Sequence, residues 1–205
     1  THNVQHRFDY DDLRDWLNEA ERLGELEIVK GASWEEDIGL AATVVKYRDG
    51  SPALLFDEVP GCKKGFRVLA NFFGGARKNM TLGFPTNLDK VALSEAWANV
   101  YSHDTGDLIP PVYVEDGPIF QNIMMDDDIN VLDFPSPMWH EDDGGRYIGT
   151  GTYNVTQDPD GGWYNMGCYR VMVIDEKTVA YNSAPGKHGR IHHDKHVARG
   201  EKMPV

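Results

Sequence analysis

The stretch Gly145-Arg-Tyr-Ile-Gly-Thr-Gly-Thr-Tyr-Asn-Val-Thr-Gln-Asp-Pro-Asp-Gly-Gly-Trp-Tyr-Asn-Met-Gly-Cys-Tyr-Arg170 decides how this chain is read, together with Pro185-Gly-Lys-His-Gly-Arg190 beyond it. Tyr147 to Thr156 and Trp163 to Ile174 alternate with a period of two, and Asp158-Pro-Asp-Gly-Gly162 between them is a strong turn signal. The pair therefore reads as an antiparallel hairpin. Asp175-Glu-Lys177 turns the chain into a further strand from Thr178 to Ser183. Three antiparallel strands in succession predict a meander or a barrel. After Pro185-Gly186 a polar helix is expected from about Arg190 to Arg199.

These strands carry an amide (Asn165), a guanidinium (Arg170), an ammonium (Lys187) and an imidazole (His188). Strand alternation puts Asn165, Gly167 and Tyr169 on one face and Met166, Cys168 and Arg170 on the other. A bulge or twist would be needed for Asn165 and Arg170 to serve one site. An amide is a neutral oxygen ligand suited to a hard divalent ion, and Arg offers a fixed donor fork for a carboxylate or phosphate. One amide and one imidazole make an incomplete site for a manganese- or magnesium-like ion, whose charge a phosphate or further carboxylate would balance. The plainer reading of Arg170 is a surface ion-pair partner.

Working outward, the N-terminal part predicts helix, strand, helix, strand. Asp9 or Asp11 can cap a helix with Leu13, Trp16, Leu17, Ala20 and Leu23 at three- and four-residue spacing, ended by Gly24. Leu26 to Lys30 reads as a strand, Trp34 to Tyr47 as a helix facing its core with Ile38, Ala41, Ala42 and Val45, and Ala53 to Phe56 as a buried strand. Phe66 to Phe73 predicts another strand ended by Gly74-Gly75, with Arg77, Lys78 and Asn79 in a solvated turn or, less readily, an anion-facing loop. A third helix from Asn87 would bury Leu88, Val91, Ala92, Ala96 and Val100. His103-Asp-Thr-Gly106, Pro110-Pro111 and Gly117-Pro118 read as a linker, dividing the chain into an α/β region over 1–110 and a β-rich region over 111–205. Phe120 to Met125 is expected as a strand running into a solvated Asp126-Asp-Asp128 turn. The chain stops at Val205 where a further strand is about to begin, which reads as a polypeptide cut short.

Composition bounds the function. The 205 residues are 40% hydrophobic and 26% charged, as in an ordinary globular protein. No run approaches the roughly 20 apolar residues of a membrane span and no signal-peptide pattern opens the chain, so a cytoplasmic protein is expected. Two cysteines, Cys62 and Cys168, are too few for a disulfide framework and read as buried thiols. A net charge of −13 argues against nucleic acid as a partner. Residues 161–205 nevertheless hold seven Lys and Arg against four acids, a balance of +3 that leaves −16 upstream, so an anionic ligand is expected there. His188, His192 and His196 would line one helical face as zinc ligands can, but the residue after His192 is His193 rather than Glu. His192, His193 and His196 are expected as a solvated helix face.

Several motifs resemble one family. Gly144-Gly145-x-Tyr147-Ile148, Val155-Thr156-x-Asp158-Pro159, Asn165-x-Gly167-x-Tyr169-Arg170, His188 and Gly200-Glu201-x-x-Pro204-Val205 occur in the order and spacing of the UbiD family of prenylated-FMN-dependent decarboxylases. Leu13-Arg14-x-Trp16-Leu17, Gly24-Glu25-Leu26 and Pro52-Ala53-Leu54-Leu55-Phe56 extend the resemblance over nearly the whole chain. The resemblance implies an α+β fold: an N-terminal α/β layer followed by part of an antiparallel split β-barrel, flavin-reductase-like and prenylated-FMN-binding. It implies reversible, non-oxidative decarboxylation of an aromatic or α,β-unsaturated acid, and Met166-Gly-Cys-Tyr169 points to aromatic acids.

By the same resemblance, Asn165 and His188 are two of three protein ligands of a manganese (or magnesium) ion gripping the cofactor phosphate, with a potassium ion nearby. Asn165, Met166, Gly167, Cys168, Tyr169, Arg170, Lys187 and His188 would line the prenylated flavin. Arg170 would be the catalytic arginine that orients the substrate carboxylate, with Thr150 and Gly151 near the substrate. The third metal ligand and the proton donor would lie in the remainder of the polypeptide, so the 205 residues alone are expected to be inactive. A homo-oligomer and a flavin prenyltransferase as cofactor supplier are also implied. Two other readings of the residues stay open: a metal hydrolase using the His188/His192/His196 run, and a non-catalytic flavin-binding barrel.

Overall fold

The computed structural model describes residues 4–101, 110 and 112–205. In chain order its elements are α1 (Leu13–Arg22), β1 (Leu26–Lys30), α2 (Asp37–Lys46), β2 (Ala53–Asp57), β3 (Val68–Ala70), α3 (Gly75–Thr81), α4 (Lys90–Tyr101), β4 (Arg146–Gly149), β5 (Tyr153–Gln157), β6 (Tyr164–Cys168), β7 (Val171–Val173), β8 (Val179–Tyr181) and α5 (His188–Ala198). They form two compact units. The first comprises residues 1–31, 41–57 and 67–128, and the second 32–40, 58–66 and 129–205. The linker expected over His103–Gly106 and Pro111 lies outside the described residues.

The first unit is built on a three-stranded sheet in the order β1-β2-β3, with β1 and β2 parallel and β3 antiparallel. Ala53-Leu-Leu-Phe56 is buried at every position because β2 is central in its sheet. Trp16, Leu17 and Ala20 of α1 pack on Ala53 and Leu55 of β2 and on Met80 of α3. The cap of α1 is Asp12, not Asp9 or Asp11, its carboxylate accepting from Arg14 N (2.7 Å) and Asp15 N (3.0 Å). In α4 the buried positions are Leu93 and Ala96, which pack with Phe84, whereas Val91 and Val100 are exposed.

The expected strand over Phe66–Phe73 is limited to Val68–Ala70, and the turn expected at Arg77–Asn79 is the helix α3. Arg77 is only 1% exposed. Its guanidinium meets Glu25 Oε2 (2.5 Å) and donates to the carbonyls of Ser51 (2.6 Å) and Asn71 (2.7 Å). Asn79 is equally enclosed, donating to the Pro85 and Leu88 carbonyls. Both are structural groups, neither solvated nor directed at an anion.

The second unit contains two antiparallel sheets, one in the order β4-β7-β8 and the other the hairpin β5-β6. Phe120–Met125 is not a strand: Pro118–Phe120 and Asp126–Asp128 are single 3₁₀ turns. Residues 32–40 belong with this unit. Trp34 accepts from Met138 N (2.9 Å) and stacks under the Arg146 guanidinium (3.9 Å), which donates to Ser136 O (2.8 Å). Among the described residues no helix is long and apolar enough to cross a membrane.

Candidate functional site

Both long strands read from the sequence are interrupted, and at the same level. Gly149 pairs with Val171 across β4-β7, and Tyr153 pairs with Cys168 across β5-β6. The segments 150–152 and 169–170 therefore leave one sheet and enter another side by side, held by Tyr169 N donating to Thr152 O (3.3 Å) and Asn154 Nδ2 donating to Tyr169 O (2.8 Å). This break sets exposed Thr150 and Gly151 opposite exposed Arg170. Arg170 lies beyond the end of β6, so the alternation of that strand does not set the face it serves.

The hairpin β5-β6 has two unlike faces. One carries Tyr153, Val155, Tyr164, Met166 and Cys168, all exposed. Cys168 is thus not the buried thiol expected. The other face carries Asn154, Thr156 and Asn165, all buried, and α5 lies against it. The expected cofactor residues are consequently split, with Met166 and Cys168 on the bare face and Asn165 on the covered one.

Helix α5 starts at His188, two residues before the expected position, after a turn in which Gly186 adopts φ +83°, a value that favours glycine. Lys187 is its N-cap residue and supplies no side-chain cap. His192 and His196 are 0% and 8% exposed, contrary to the solvated face expected for them. The reason is polar packing on a polar strand face: His192 Nδ1 lies 2.9 Å from Thr156 Oγ1 and His196 Nε2 3.3 Å from Gln157 O. Farther along, Lys195 bridges Asp158 (2.5 Å) and Asp160 (3.0 Å), and Arg199 pairs with Asp160.

Trp163 joins the predicted ligands. Its ring meets His188 edge-on at 4.7 Å and His192 at 4.5 Å. Asn165, 7% exposed, donates from Nδ2 to Thr156 Oγ1 at 3.4 Å, the hydroxyl that holds His192. Asn165 and His188 thus flank one cluster at the start of α5, although His188 itself is exposed. Sequence reasoning did not foresee that Thr156 and His192 would be buried together beside Asn165. The available signal was the row of polar residues Asn154, Thr156 and Asp158 on one hairpin face, which demanded a polar cover.

A hydroxyl group cluster adjoins it. Tyr169 and Tyr181 pack edge to face at 5.1 Å, and Gly189 N donates to the Tyr169 hydroxyl (3.2 Å). A side chain at 189 would collide with the Tyr181 hydroxyl, so this first turn of α5 needs glycine. Burial acts to raise the Tyr169 pKa, but the Gly189 N–H, with Ser183, Asn165 and Lys187 nearby, outweighs it and holds the phenol below its usual range. Burial raises the Tyr181 pKa. Ser183 Oγ faces both phenols but sits in hydrogen-bonding geometry with neither, and it is buried. Burial also lowers the His192 pKa, so that the ring is held neutral.

Among the described residues no three imidazole, carboxylate or thiol groups converge as metal ligands. His192 and His196 each engage one nitrogen with the hairpin, and nothing described favours a zinc site on the histidine run.

Comparison with known proteins bears on this arrangement. Residues 112–205 match the family model described as the 3-octaprenyl-4-hydroxybenzoate carboxy-lyase Rift-related domain (UbiD), and residues 17–96 match the N-terminal domain of the same carboxy-lyases. The chain is 30% identical over 189 residues to pyrrole-2-carboxylic acid decarboxylase of Pseudomonas aeruginosa, covering 86% of this chain and 37% of that protein. Vanillic acid decarboxylase of Sedimentibacter hydroxybenzoicus in its closed form superposes with a TM-score of 0.83 at 26% identity, over 95% of this chain and 41% of that one. An evolved dimeric form of the UbiD-class enzyme HmfF from Pelotomaculum thermopropionicum, in complex with prFMN, shares the fold with a TM-score of 0.74 at 23% identity, over 95% of this chain and 43% of that one. The chain spans less than half the length of each of these proteins.

Proposed function

The chain belongs to the UbiD family, and from that premise we propose that it supplies the metal-, phosphate- and carboxylate-binding part of a prenylated-FMN-dependent decarboxylase acting on an aromatic acid. The observation that carries this reading is the meeting of β6 with the first turn of α5, where Asn165 and His188 flank the Trp163–His192 pair with Lys187 beside them. Support for an aromatic substrate comes from the decarboxylases of pyrrole-2-carboxylic and vanillic acids to which the chain is similar.

The residues present fit the cofactor's phosphate and its ion. Asn165 turns its amide nitrogen to Thr156, which leaves the carbonyl oxygen for a hard cation, and the imidazole of His188 stands at the exposed end of the same cluster. The Lys187 ammonium, at the N-cap position of α5, suits an anion there. Manganese or magnesium is the ion we assign to Asn165 and His188, with potassium accompanying it, and the third ligand coming from the remainder of the polypeptide. When bound, prenylated FMN supplies an electron sink for the carbon that loses carbon dioxide.

This chain's own residues then have defined tasks. Arg170, exposed at the sheet break opposite Thr150 and Gly151, offers its donor fork to the substrate carboxylate and fixes the angle at which the carboxylate-bearing carbon approaches the flavin. Gly167, Tyr169, Met166 and Cys168 shape the flavin's surroundings. The bare apolar face of Tyr153, Val155, Met166 and Cys168 is consistent with a split barrel closed by further polypeptide, the barrel region covering 111–205 and the α/β region 1–110. We assign the protein to the cytoplasm as a homo-oligomer that obtains its cofactor from a flavin prenyltransferase.

Co-expression of the full-length polypeptide with a flavin prenyltransferase tests the reading. The purified protein is expected to show the absorbance of the modified flavin and to release carbon dioxide from aromatic rather than acrylic acids. Loss of tightly bound manganese is expected in Asn165→Ala and His188→Ala. Full manganese retention by both variants, or no flavin in the wild type, overturns it.

A further inference from the structure

The proposed function gives His192 and Thr156 no role, yet they form a buried relay to Asn165. Thr156 Oγ1 accepts from Asn165 Nδ2 (3.4 Å) and lies 2.9 Å from His192 Nδ1. Thr156 is 1% exposed and His192 0%, so the hydroxyl hydrogen has no solvent to point at. A hydroxyl carries one proton and two lone pairs. Buried and already accepting from Asn165, Thr156 satisfies that proton by donating it to His192 Nδ1. The imidazole must then carry its own hydrogen on Nε2. That atom is buried and has no hydrogen-bond partner among the described residues, and the imidazole ring packs on Trp163.

The unpaired Nε2 is a cost of His192 that an apolar side chain of similar size would not carry. What the imidazole does provide is a direction. If Nδ1 were the donor, or were absent, the Thr156 proton would be free to turn to Asn165 and draw the amide oxygen inward.

We propose that His192 and Thr156 are positioning residues: Nδ1 of His192 commits the Thr156 proton, Thr156 thereby offers Asn165 only a lone pair, and the Asn165 amide is held with Nδ2 inward and Oδ1 outward as a cation ligand. This rests on the assignment of Asn165 as a metal ligand above, and extends it to the group that fixes which amide atom the ion meets. Partners of this kind behind a ligand commonly alter metal affinity by about 10- to 100-fold.

Manganese titrations of the full-length polypeptide supplied with FMN, followed by the EPR signal of free Mn(II), test the relay alongside thermal melting. His192→Leu is expected to weaken manganese binding at least tenfold while its melting temperature is unchanged or higher, because the unpaired Nε2 is removed too. His192→Asn, whose amide oxygen can stand where Nδ1 stood, is expected to bind manganese within threefold of wild type. Thr156→Ser should behave as wild type and Thr156→Val as His192→Leu, which keeps the test decisive if His192→Leu does not fold. Wild-type affinity in His192→Leu or in Thr156→Val overturns the relay, as does equal weakening in the Leu and Asn variants. Wild-type affinity in Asn165→Ala would instead overturn the ligand assignment itself, so the two failures are told apart.

Discussion

Gly167 lies under the ring of Tyr169: a Cβ at position 167 would overlap the ring edge and come within 2.5 Å of Cζ. The same tyrosine receives the Gly189 N–H on its hydroxyl. One aromatic side chain thus ties the end of β6 to the first turn of α5. Gly167→Ala must displace the ring and break that bond, so it is expected to destabilise the protein by about 1–3 kcal/mol, the usual cost of overpacking. Urea unfolding measures this directly. An unchanged midpoint would show that Tyr169 is free to move aside.

In the first unit the corresponding tie is Arg77. Arg77→Ala leaves the Glu25 carboxylate and two backbone carbonyls without their donor in a largely buried setting. Removing one partner of a buried ion pair costs about 3–5 kcal/mol. Denaturation followed by circular dichroism is expected to show a loss of that order, whereas Lys78→Ala on the same helix serves as a near-neutral control.

How much of this was visible in the sequence depended on which kind of packing a segment uses. β2 and the hairpin β5-β6 were legible because an apolar run and a strict alternation around Asp158–Gly162 report burial directly. The strand expected over Phe66–Phe73 failed because Asn71 takes a left-handed conformation (φ 55°) that turns the chain out of the sheet. Tyr147–Thr156 and Trp163–Ile174 hid a break because alternation persists across it, while the pairing partner changes. The burial of His192 and His196 was illegible for a different reason. Hydrophobic periodicity detects apolar faces only, and here a polar helix face covers a polar strand face. The motif spacing picked out Asn165 and His188 as expected ligands, but only the tertiary contacts show that Trp163, Thr156 and His192 stand between and behind them.

The neutral, buried His192 gives stability a pH dependence of defined sign. A base whose folded pKa lies below its ordinary value of about 6.5 takes up a proton more readily when unfolded. Its contribution is fully present above that value and is lost as pH falls through 6.5 towards the folded pKa. Asp12, Asp175 and Asp194 also have lowered pKa values, but their contributions fade only as pH falls below the ordinary carboxylate value of 3.8. The decline as pH falls below about 6.5 should therefore flatten in His192→Leu. Urea midpoints at several pH values compare the two proteins, and parallel slopes would remove His192 as the source.

Arg170 separates a catalytic role from a structural one. It follows β6 at the sheet break and is exposed, so its replacement disturbs no core contact. Surface substitutions of this kind usually change stability by no more than about 0.5 kcal/mol. If its fork orients the substrate carboxylate, Arg170→Met should keep the melting temperature, the manganese affinity and the flavin spectrum, and lose about a hundredfold in kcat/KM or more, the penalty expected for a misplaced reacting group. Cofactor retention with activity lost would assign Arg170 to the substrate. Cofactor lost along with activity would assign it to the flavin side of the site instead. Decarboxylation at the wild-type rate would leave this segment a binding role only, and would favour a barrel that holds a flavin without using Arg170 in the reaction.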